Sequence, residues 1–305
     1  MLMLCVIWSL QQIAIKAVGD QMAPMLQIAL RSGVALVMVA GLMVWRKERF
    51  DWRAWKAGAV IAALFALEYL LVAQALRFTS AGHTLVFLYT SPVFAAMGLH
   101  LKLPSERLTR IQWLGVTLAF GGVAYAFLGG DVPGTPTRTP IETQSPVVLA
   151  LWGDFLALLA GAAWGATTVA IRTTQLSVTA PNQTILYQLC GAFFFLLPIA
   201  VLTGQTHFEP TPLVWISLAY QTFIMSFVSL LVWFWLLRHY LASRLGVLTF
   251  LTPVIGVVLG AVLLGEPLEA QFIVGAAVVL LGITTVSLHA SVEVWIQRVF
   301  RPTSS

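Results

Sequence analysis

Charged residues are scarce in this 305-residue chain: Asp, Glu, Lys and Arg make up 10% of it, against about 25% in a soluble protein. Hydrophobic residues make up 59%, and the mean hydropathy is +0.89. Apolar stretches of about 20 residues, the length that crosses a bilayer, follow one another with charges confined to the short gaps between them. This composition excludes an ordinary soluble domain and predicts an all-α polytopic membrane protein.

Cysteine is scarce too, and the motifs of several enzyme classes are missing. Cys5 and Cys190 both fall inside apolar stretches, so we expect no disulfide. The five histidines show no metal-ligand spacing, which predicts no metal site. The chain has no phosphate-binding loop, serine nucleophile elbow or HExxH motif. We therefore predict a protein that is not an enzyme, is not driven directly by ATP and needs no cofactor.

The apolar stretches predict ten transmembrane helices. They are unbroken and rich in Leu, Ala, Val and Gly, unlike the short alternating segments of a β-barrel. The predicted spans are 1–17, 24–45, 56–76, 82–101, 109–130, 147–170, 181–203, 213–237, 242–264 and 270–290.

The second half of the chain repeats landmarks of the first half. Equivalent pairs are Trp8 and Trp164, Lys16 and Arg172, Pro24 and Pro181, Pro92 and Pro253, Glu106 and Glu266, Gly115 and Gly275, and Gly122 and Gly282. Because each repeat holds an odd number of spans, the second copy must be inverted in the bilayer, as in many secondary transporters. The predicted organisation is a first five-helix repeat at 1–130, a linker at 131–146, a second repeat at 147–290 and a tail at 291–305.

The basic residues predict the orientation of the chain in the membrane. Most of the 17 Lys and Arg residues lie in gaps that share one face, whereas Lys16, Arg77 and Arg138 lie on the other. By the positive-inside rule, both termini and the tail are cytoplasmic and the linker is periplasmic, in a cell inner membrane. The net charge of +5 follows this alternation, so it indicates topology and lipid contact and not a nucleic-acid partner. Helical spacing of apolar residues in 291–305 suggests a short amphipathic helix there.

Three segments carry a family resemblance. They read WSLQQIAIK at 8–16, ALRFTSAGHTLVFLYTSPVF at 75–94 and LLGEPLEAQFIVGAAVVLLGI at 263–283. Taken together and in order, they resemble the EamA family of the drug/metabolite transporter superfamily. The resemblance implies ten helices, cytoplasmic termini, a central cavity between the repeats, and export of amino acids and related metabolites.

Three ionisable residues lie within the predicted spans: Arg31, Glu68 and Asp154. Each falls about 10 to 12 Å from the outer end of its helix, so we expect them at one depth. A lone charge there costs at least about 2.5 to 3.5 kcal/mol, which requires pairing or a hydrated cavity. One hypothesis is that Glu68 or Asp154 binds a substrate ammonium or a proton while Arg31 binds a carboxylate. The alternatives are a structural ion pair between Arg31 and Glu68, and an Asp154 that reaches headgroup water.

Several aromatic and polar residues are further candidates for substrate binding. Trp8 and Trp164 lie deeper than the interfacial belt and could line a cavity, although simple packing is the alternative. Tyr89 lies close to Pro92 and could also satisfy a carbonyl freed there. Tyr187 and Gln188 in span seven complete the set.

Two equivalent prolines, Pro92 and Pro253, fall near the middle of spans four and nine. Each should kink its helix, because proline lacks an N–H group and its ring clashes with the preceding turn. Mirror-related kinks at this depth favour a central site that they could serve as hinges, but static kinks that improve packing are an equal alternative.

The inverted repeats predict a secondary transporter that works by alternating access at a cavity between them, and the family resemblance implies that it exports small metabolites such as amino acids. Its partners would be a small-molecule substrate, membrane lipid and a proton as a candidate coupling ion, with the oligomeric state open. The nearest alternative is proton-coupled efflux of cationic or amphipathic drugs, with Glu68 exchanging a proton for substrate. A membrane sensor or scaffold without transport is less favoured, because the chain has no soluble domain to carry an output.

Overall fold

The computed structural model describes residues 1–104, 107–128, 146–229 and 251–299, together with positions 232, 236, 248 and 249. Its helices are α1 (Leu2–Ala17), α2 (Pro24–Trp45), α3 (Trp55–Phe78), α4 (Ala81–Leu88), α5 (Ser91–Lys102), α6 (Arg110–Leu128), α7 (Pro146–Thr173), α8 (Pro181–Leu202), α9 (Pro212–Ala219), α10 (Leu251–Leu264) and α11 (Ala270–Val299). Within this described part no β-strand occurs. Six segments are long and apolar enough to cross a membrane: Pro24–Trp45, Trp52–Phe78, Ala81–Lys102, Val148–Thr173, Pro181–Leu202 and Ala270–Leu288.

Most predicted spans coincide with helices to within a few residues, and α2 begins and ends where predicted. One predicted boundary is wrong: α11 continues past residue 290 to Val299, so the start of the tail extends this helix and is not a separate amphipathic one. The predicted linker, apart from Pro146 at the start of α7, lies outside the described residues. The same holds for most of 230–250, where predicted span eight ends and span nine begins.

The predicted span 82–101 is broken into two helices. α4 ends at Leu88, and α5 begins at Ser91 with Pro92 in its first turn. The Thr90 hydroxyl donates to the Phe87 carbonyl at 2.6 Å, which satisfies an acceptor at the break. At the kink predicted for Pro92 the helix is thus interrupted for two residues, Tyr89 and Thr90. Pro253 lies in the first turn of α10, and the kink predicted there stays a prediction, since residue 250 is outside the described part.

A π-helical segment, Tyr220–Val228, follows directly on α9. Such wide turns are rare and are frequently found at functional sites. The Gln221 amide in this segment donates to Gln27 Oε1 and to Ser217 Oγ, each at 2.9 Å, and the Tyr220 hydroxyl donates to the Ile7 carbonyl at 2.6 Å. The π segment is thereby tied to α1 and α2.

Glycines set the closest helix contacts. On the α6–α11 contact, a Cβ at Gly282 would lie 2.5 Å from the Gly115 carbonyl oxygen, and a Cβ at Gly122 would lie 2.8 Å from that of Gly275. Between α3 and α8, a Cβ at Gly191 would lie 2.0 Å from the Ala62 carbonyl oxygen. Because membrane helices associate through close packing, small residues at these points allow the backbones to meet.

The connections at one end of the bundle pack together. Met22, between α1 and α2, forms a β-bridge with Phe208 in the connection 203–211, and the Glu209 N–H donates to the Gln21 carbonyl at 2.8 Å. We call this the Lys16 end, because α1 finishes there with Lys16 in its last turn. The turn between α3 and α4 lies at the same end, since the Lys16 ammonium donates to the Thr79 carbonyl.

Candidate functional site

Arg31 is buried inside the helix bundle, although it is charged. It lies on α2 and is 4% exposed. With the Gln11 amide of α1 assigned so that its oxygen faces Arg31, this oxygen accepts from both terminal guanidinium nitrogens at 3.0 Å. The guanidinium also lies over the ring of Tyr69 on α3, 4.9 Å from the ring centroid. Neutral groups from two other helices therefore hold Arg31, and no carboxylate among the described residues comes within 4.0 Å of it.

Glu68 precedes Tyr69 on α3 and is 5% exposed. Its Oε2 is buried without a hydrogen-bond partner in the described structure. Arg31 and Glu68 form no ion pair within 4.0 Å, so the alternative of a structural ion pair between them is wrong. A buried charge without a partner costs about 2.5 kcal/mol or more in a membrane helix. A ligand with charges complementary to both residues would remove that cost.

Two more buried side-chain oxygens in the helices have no hydrogen-bond partner among the described residues: Gln12 Oε1 on α1 and Gln221 Oε1 in the π segment. Since nearly all buried polar groups in folded proteins are hydrogen-bonded, such orphan acceptors indicate places where water or a ligand binds. α1 packs against the π segment, where the Tyr220 hydroxyl donates to the Ile7 carbonyl of α1 at 2.6 Å. The two orphan oxygens therefore belong to elements that pack against each other.

Tyr89 and Trp164 come together from the two halves of the chain. Tyr89, at the break between α4 and α5, meets the Trp164 ring of α7 edge-on, with 5.4 Å between the ring centroids. Trp8 has different surroundings, because its Nε1 donates to Ser229 Oγ at 3.4 Å and its ring packs near Leu4. The two equivalent tryptophans, Trp8 and Trp164, therefore have different neighbours, and their predicted roles in lining a substrate cavity stay predictions.

Asp154 lies at the Lys16 end. The Thr79 hydroxyl donates to its Oδ1 at 2.5 Å, and His83 Nδ1 lies 2.9 Å from its Oδ2. The His83 ring in turn stacks on Phe272, with 3.6 Å between the centroids. Thr79 follows the last residue of α3, about 16 Å beyond Glu68 at 1.5 Å per residue. The prediction that Asp154 shares the depth of Glu68 is wrong, and its role in substrate binding stays a prediction.

Tyr187 lies toward the opposite end, in the contact between α8 and α3. A Cβ at Gly58 would lie 2.4 Å from the Tyr187 ring, which also meets the Phe50 ring edge-on at 5.7 Å. These contacts give Tyr187 a packing role. Gln188, the next residue, is half-buried. Substrate roles for both residues stay predictions, and the structure brings neither to the Tyr89 and Trp164 pair.

Sequence reasoning missed Gln11 and Gln12. Gln11 accepts a hydrogen bond from Arg31, and Gln12 has a buried oxygen without a partner among the described residues. A signal for them was present, because two adjacent amides in the middle of an apolar span are costly unless they bind something. Tyr69 carried no comparable signal, since single Tyr residues are common in membrane helices.

Comparison with known proteins gives a match over both halves of the chain. Residues 1–128 and 151–288 each match the EamA-like transporter family. This chain belongs to that family. Among the relatives of this EamA-like transporter are the uncharacterized transporter YoaV of Bacillus subtilis (23% identical, 91% of each chain) and a probable amino-acid metabolite efflux pump of Salmonella typhimurium (24% identical, covering 92% of this chain and 91% of that one).

One solved crystal structure has the same fold as this EamA-like transporter, with a TM-score of 0.63 at 19% identity, and covers 95% of this chain and 96% of that one. Family and fold together make the chain a multi-pass membrane transporter with a small-molecule substrate. The buried, unpaired Arg31 and Glu68 are then the strongest candidates for contact with that substrate.

Proposed function

We propose that this EamA-like transporter exports small metabolites such as amino acids across the cell inner membrane. The observation that carries the proposal is a pair of buried ionisable side chains, Arg31 and Glu68, with no ion pair between them. The Arg31 guanidinium lies over the ring of Tyr69, the residue that follows Glu68. An amino acid carries one carboxylate and one ammonium group, so a single zwitterion would compensate both charges. The efflux pump of Salmonella typhimurium, named for amino-acid metabolites, supports this substrate class.

Transport by alternating access between two inverted repeats is supported by the contact of α6 with α11. Gly115 meets Gly282, and Gly122 meets Gly275, so the two helices run antiparallel. In the proposed repeats Gly115 is equivalent to Gly275 and Gly122 to Gly282. Each contact is therefore the counterpart of the other, as expected around a two-fold axis in the membrane plane. Rocking of the two halves about this contact would expose the central site to each side in turn.

The charges of the connections support a cytoplasmic location for both termini. At the Lys16 end, the connections 18–23 and 203–211 contain no Lys or Arg. The connection between α2 and α3, at the other end, exposes Arg46, Lys47 and Arg49. By the positive-inside rule the Lys16 end faces the periplasm, and the N-terminus of α1 lies on the cytoplasmic side.

The test of the proposed function is counterflow in proteoliposomes loaded with a panel of amino acids and related metabolites. Wild-type protein is expected to exchange at least one panel member faster than empty liposomes do. Arg31→Gln should lower that flux at least about tenfold, because a bond to a charged group is lost. Arg77→Gln, at the exposed end of α3, is the matched control and should keep the flux. No flux for any panel member, or full flux in Arg31→Gln, would contradict the proposal.

Proton-coupled efflux of cationic or amphipathic drugs is the second candidate. Two observations favour it: the unpaired Glu68 carboxylate, which could carry a proton, and the rings of Tyr89 and Trp164, which could bind a cation through their faces. Glu68→Gln separates the candidates. Loss of transport driven by a pH gradient with intact exchange indicates proton coupling, whereas loss of both indicates that Glu68 binds the substrate itself.

A further inference from the structure

Glu266, just after α10, makes contacts that no substrate-binding role explains. Its side chain is 10% exposed. Oε1 accepts from the Ala81 N–H at 2.6 Å, and Oε2 accepts from the Gly82 N–H at 3.2 Å. The Lys16 ammonium lies 3.5 Å from Oε1 and also donates to the Thr79 carbonyl. A carboxylate suits this position, because the first N–H groups of a helix lack partners and carry the positive end of the helix dipole.

The surrounding backbone leaves space for this carboxylate. A Cβ at Gly260 would lie 2.4 Å from Glu266 Oε2, so any larger residue there would displace the side chain. Gly265 has φ +65, a conformation that favours glycine, and the Glu266 N–H donates back to the Gly260 carbonyl at 3.3 Å. The small residue at 260, the positive φ at 265 and the backbone hydrogen bond between these segments therefore together position the Glu266 side chain.

These contacts connect the two halves of the chain at the Lys16 end. Lys16 and the start of α4 belong to the first half, and Glu266 belongs to the second. A neighbouring contact, Asp154 with His83, also joins the halves. A pocket of about 510 Å³ opens beside them at the same end and has Lys16 in its lining. The halves cannot separate here unless these buried polar contacts break.

We propose that Lys16, Glu266 and the first N–H groups of α4 form an ionic gate, the Glu266 lock, which closes the transport path at the Lys16 end. The inference rests on the proposed alternating access. Closing the gate shields the central site from that side of the membrane, and opening it separates Glu266 from Lys16 and from α4. Lys16 and Glu266 then control access and do not bind the transported substrate.

The test measures entry of a thiol reagent from the Lys16 side. The reporter is Gln12→Cys, one helical turn from Lys16 on the same face of α1, in a background with Cys5→Ser and Cys190→Ser. In right-side-out vesicles, a membrane-impermeant maleimide should label the reporter slowly when the lock is intact. Glu266→Gln and Gly260→Ala should raise the labelling rate at least about tenfold, the effect of losing one bond to a charged group. Gly41→Ala, where a Cβ meets nothing within 4 Å, is the control.

Lys16→Gln provides a second variant, in case Gly260→Ala fails to fold. It removes the ammonium from Glu266 and from the Thr79 carbonyl, but it leaves the Glu266 carboxylate bound to the first N–H groups of α4. Unchanged labelling in folded Glu266→Gln and Lys16→Gln proteins would overturn the lock and reduce it to a static contact. Labelling reports access without any knowledge of the substrate. Faster labelling together with no amino-acid flux would therefore support the lock and contradict the proposed substrate class.

Discussion

At the residue scale, Gly191 marks a close approach of α8 and α3. A Cβ there would lie 2.0 Å from the carbonyl oxygen of Ala62, which is backbone and cannot rotate away. Gly191→Ala should therefore push α8 from α3 and lower stability by about 1 to 3 kcal/mol, the usual cost of overpacking. The measurement is the thermal unfolding midpoint in detergent, with Gly41→Ala as the matched control. Equal midpoints for the two variants would contradict the observed contact.

The variant Gln11→Glu tests whether the Arg31 guanidinium binds the substrate. Gln11→Glu places a carboxylate against the guanidinium, so the pair should raise the thermal midpoint, because a buried charge gains a partner. Substrate flux should fall at least about tenfold, since a carboxylate already occupies Arg31. Gln12→Glu is the control: it adds a buried charge without placing it on Arg31 and should lower the midpoint. Full flux in Gln11→Glu would show that Arg31 does not bind substrate.

The charged residues show what could be predicted at this scale. That Arg31 and Glu68 are buried in the bundle follows from their place in apolar spans. Their partners do not, because Gln11 and Tyr69 come from other helices, and the chain alone does not give the rotation of those helices. The predicted depth of Asp154 was wrong for the same reason, since Thr79 and His83 meet it through the packing of α7 against the end of α3 and the first turn of α4.

At the element scale, the break between α4 and α5 is the feature with the clearest local cause. Pro92 lacks the N–H that a continuous helix would need, and a proline in a helix interior costs about 3 kcal/mol. Pro92→Ala should let α4 and α5 join, and so keep or raise stability while slowing substrate exchange severalfold if the break is a hinge. Pro198→Ala, inside α8, is the matched control and should leave exchange unchanged.

Thermal midpoints and counterflow on the same preparations separate the two roles of Pro92. A variant with wild-type exchange would identify the break as static packing. Local signals of this kind explain why helix positions were predictable: Pro24 and Pro181 each stand in the first turn of a helix that begins where predicted. The π segment at Tyr220–Val228 has no such signal, because its backbone depends on contacts with α1 and α2.

At the scale of the whole molecule, the composition predicted the class of protein, and the duplicated landmarks suggested two inverted repeats. Scarce charge and long apolar stretches were enough to predict a multi-pass helical protein. The Glu266 lock was not predicted, although both Lys16 and Glu266 were recognised as repeat landmarks, because it depends on how the two halves meet. Equivalence in sequence indicates where two residues stand in their repeats, but not what lies opposite them.

The orientation of the molecule is testable with two single-cysteine variants in the background without Cys5 and Cys190. Asp20→Cys is exposed in the connection 18–23 at the Lys16 end, and Arg49→Cys is exposed between α2 and α3. In intact cells, an impermeant maleimide should label the first and not the second, because the basic connection is retained in the cytoplasm. Permeabilised cells should label both, which controls for reactivity. The reverse pattern would place the Glu266 lock on the cytoplasmic side, and under the same alternating-access scheme the lock would then control substrate entry instead of release.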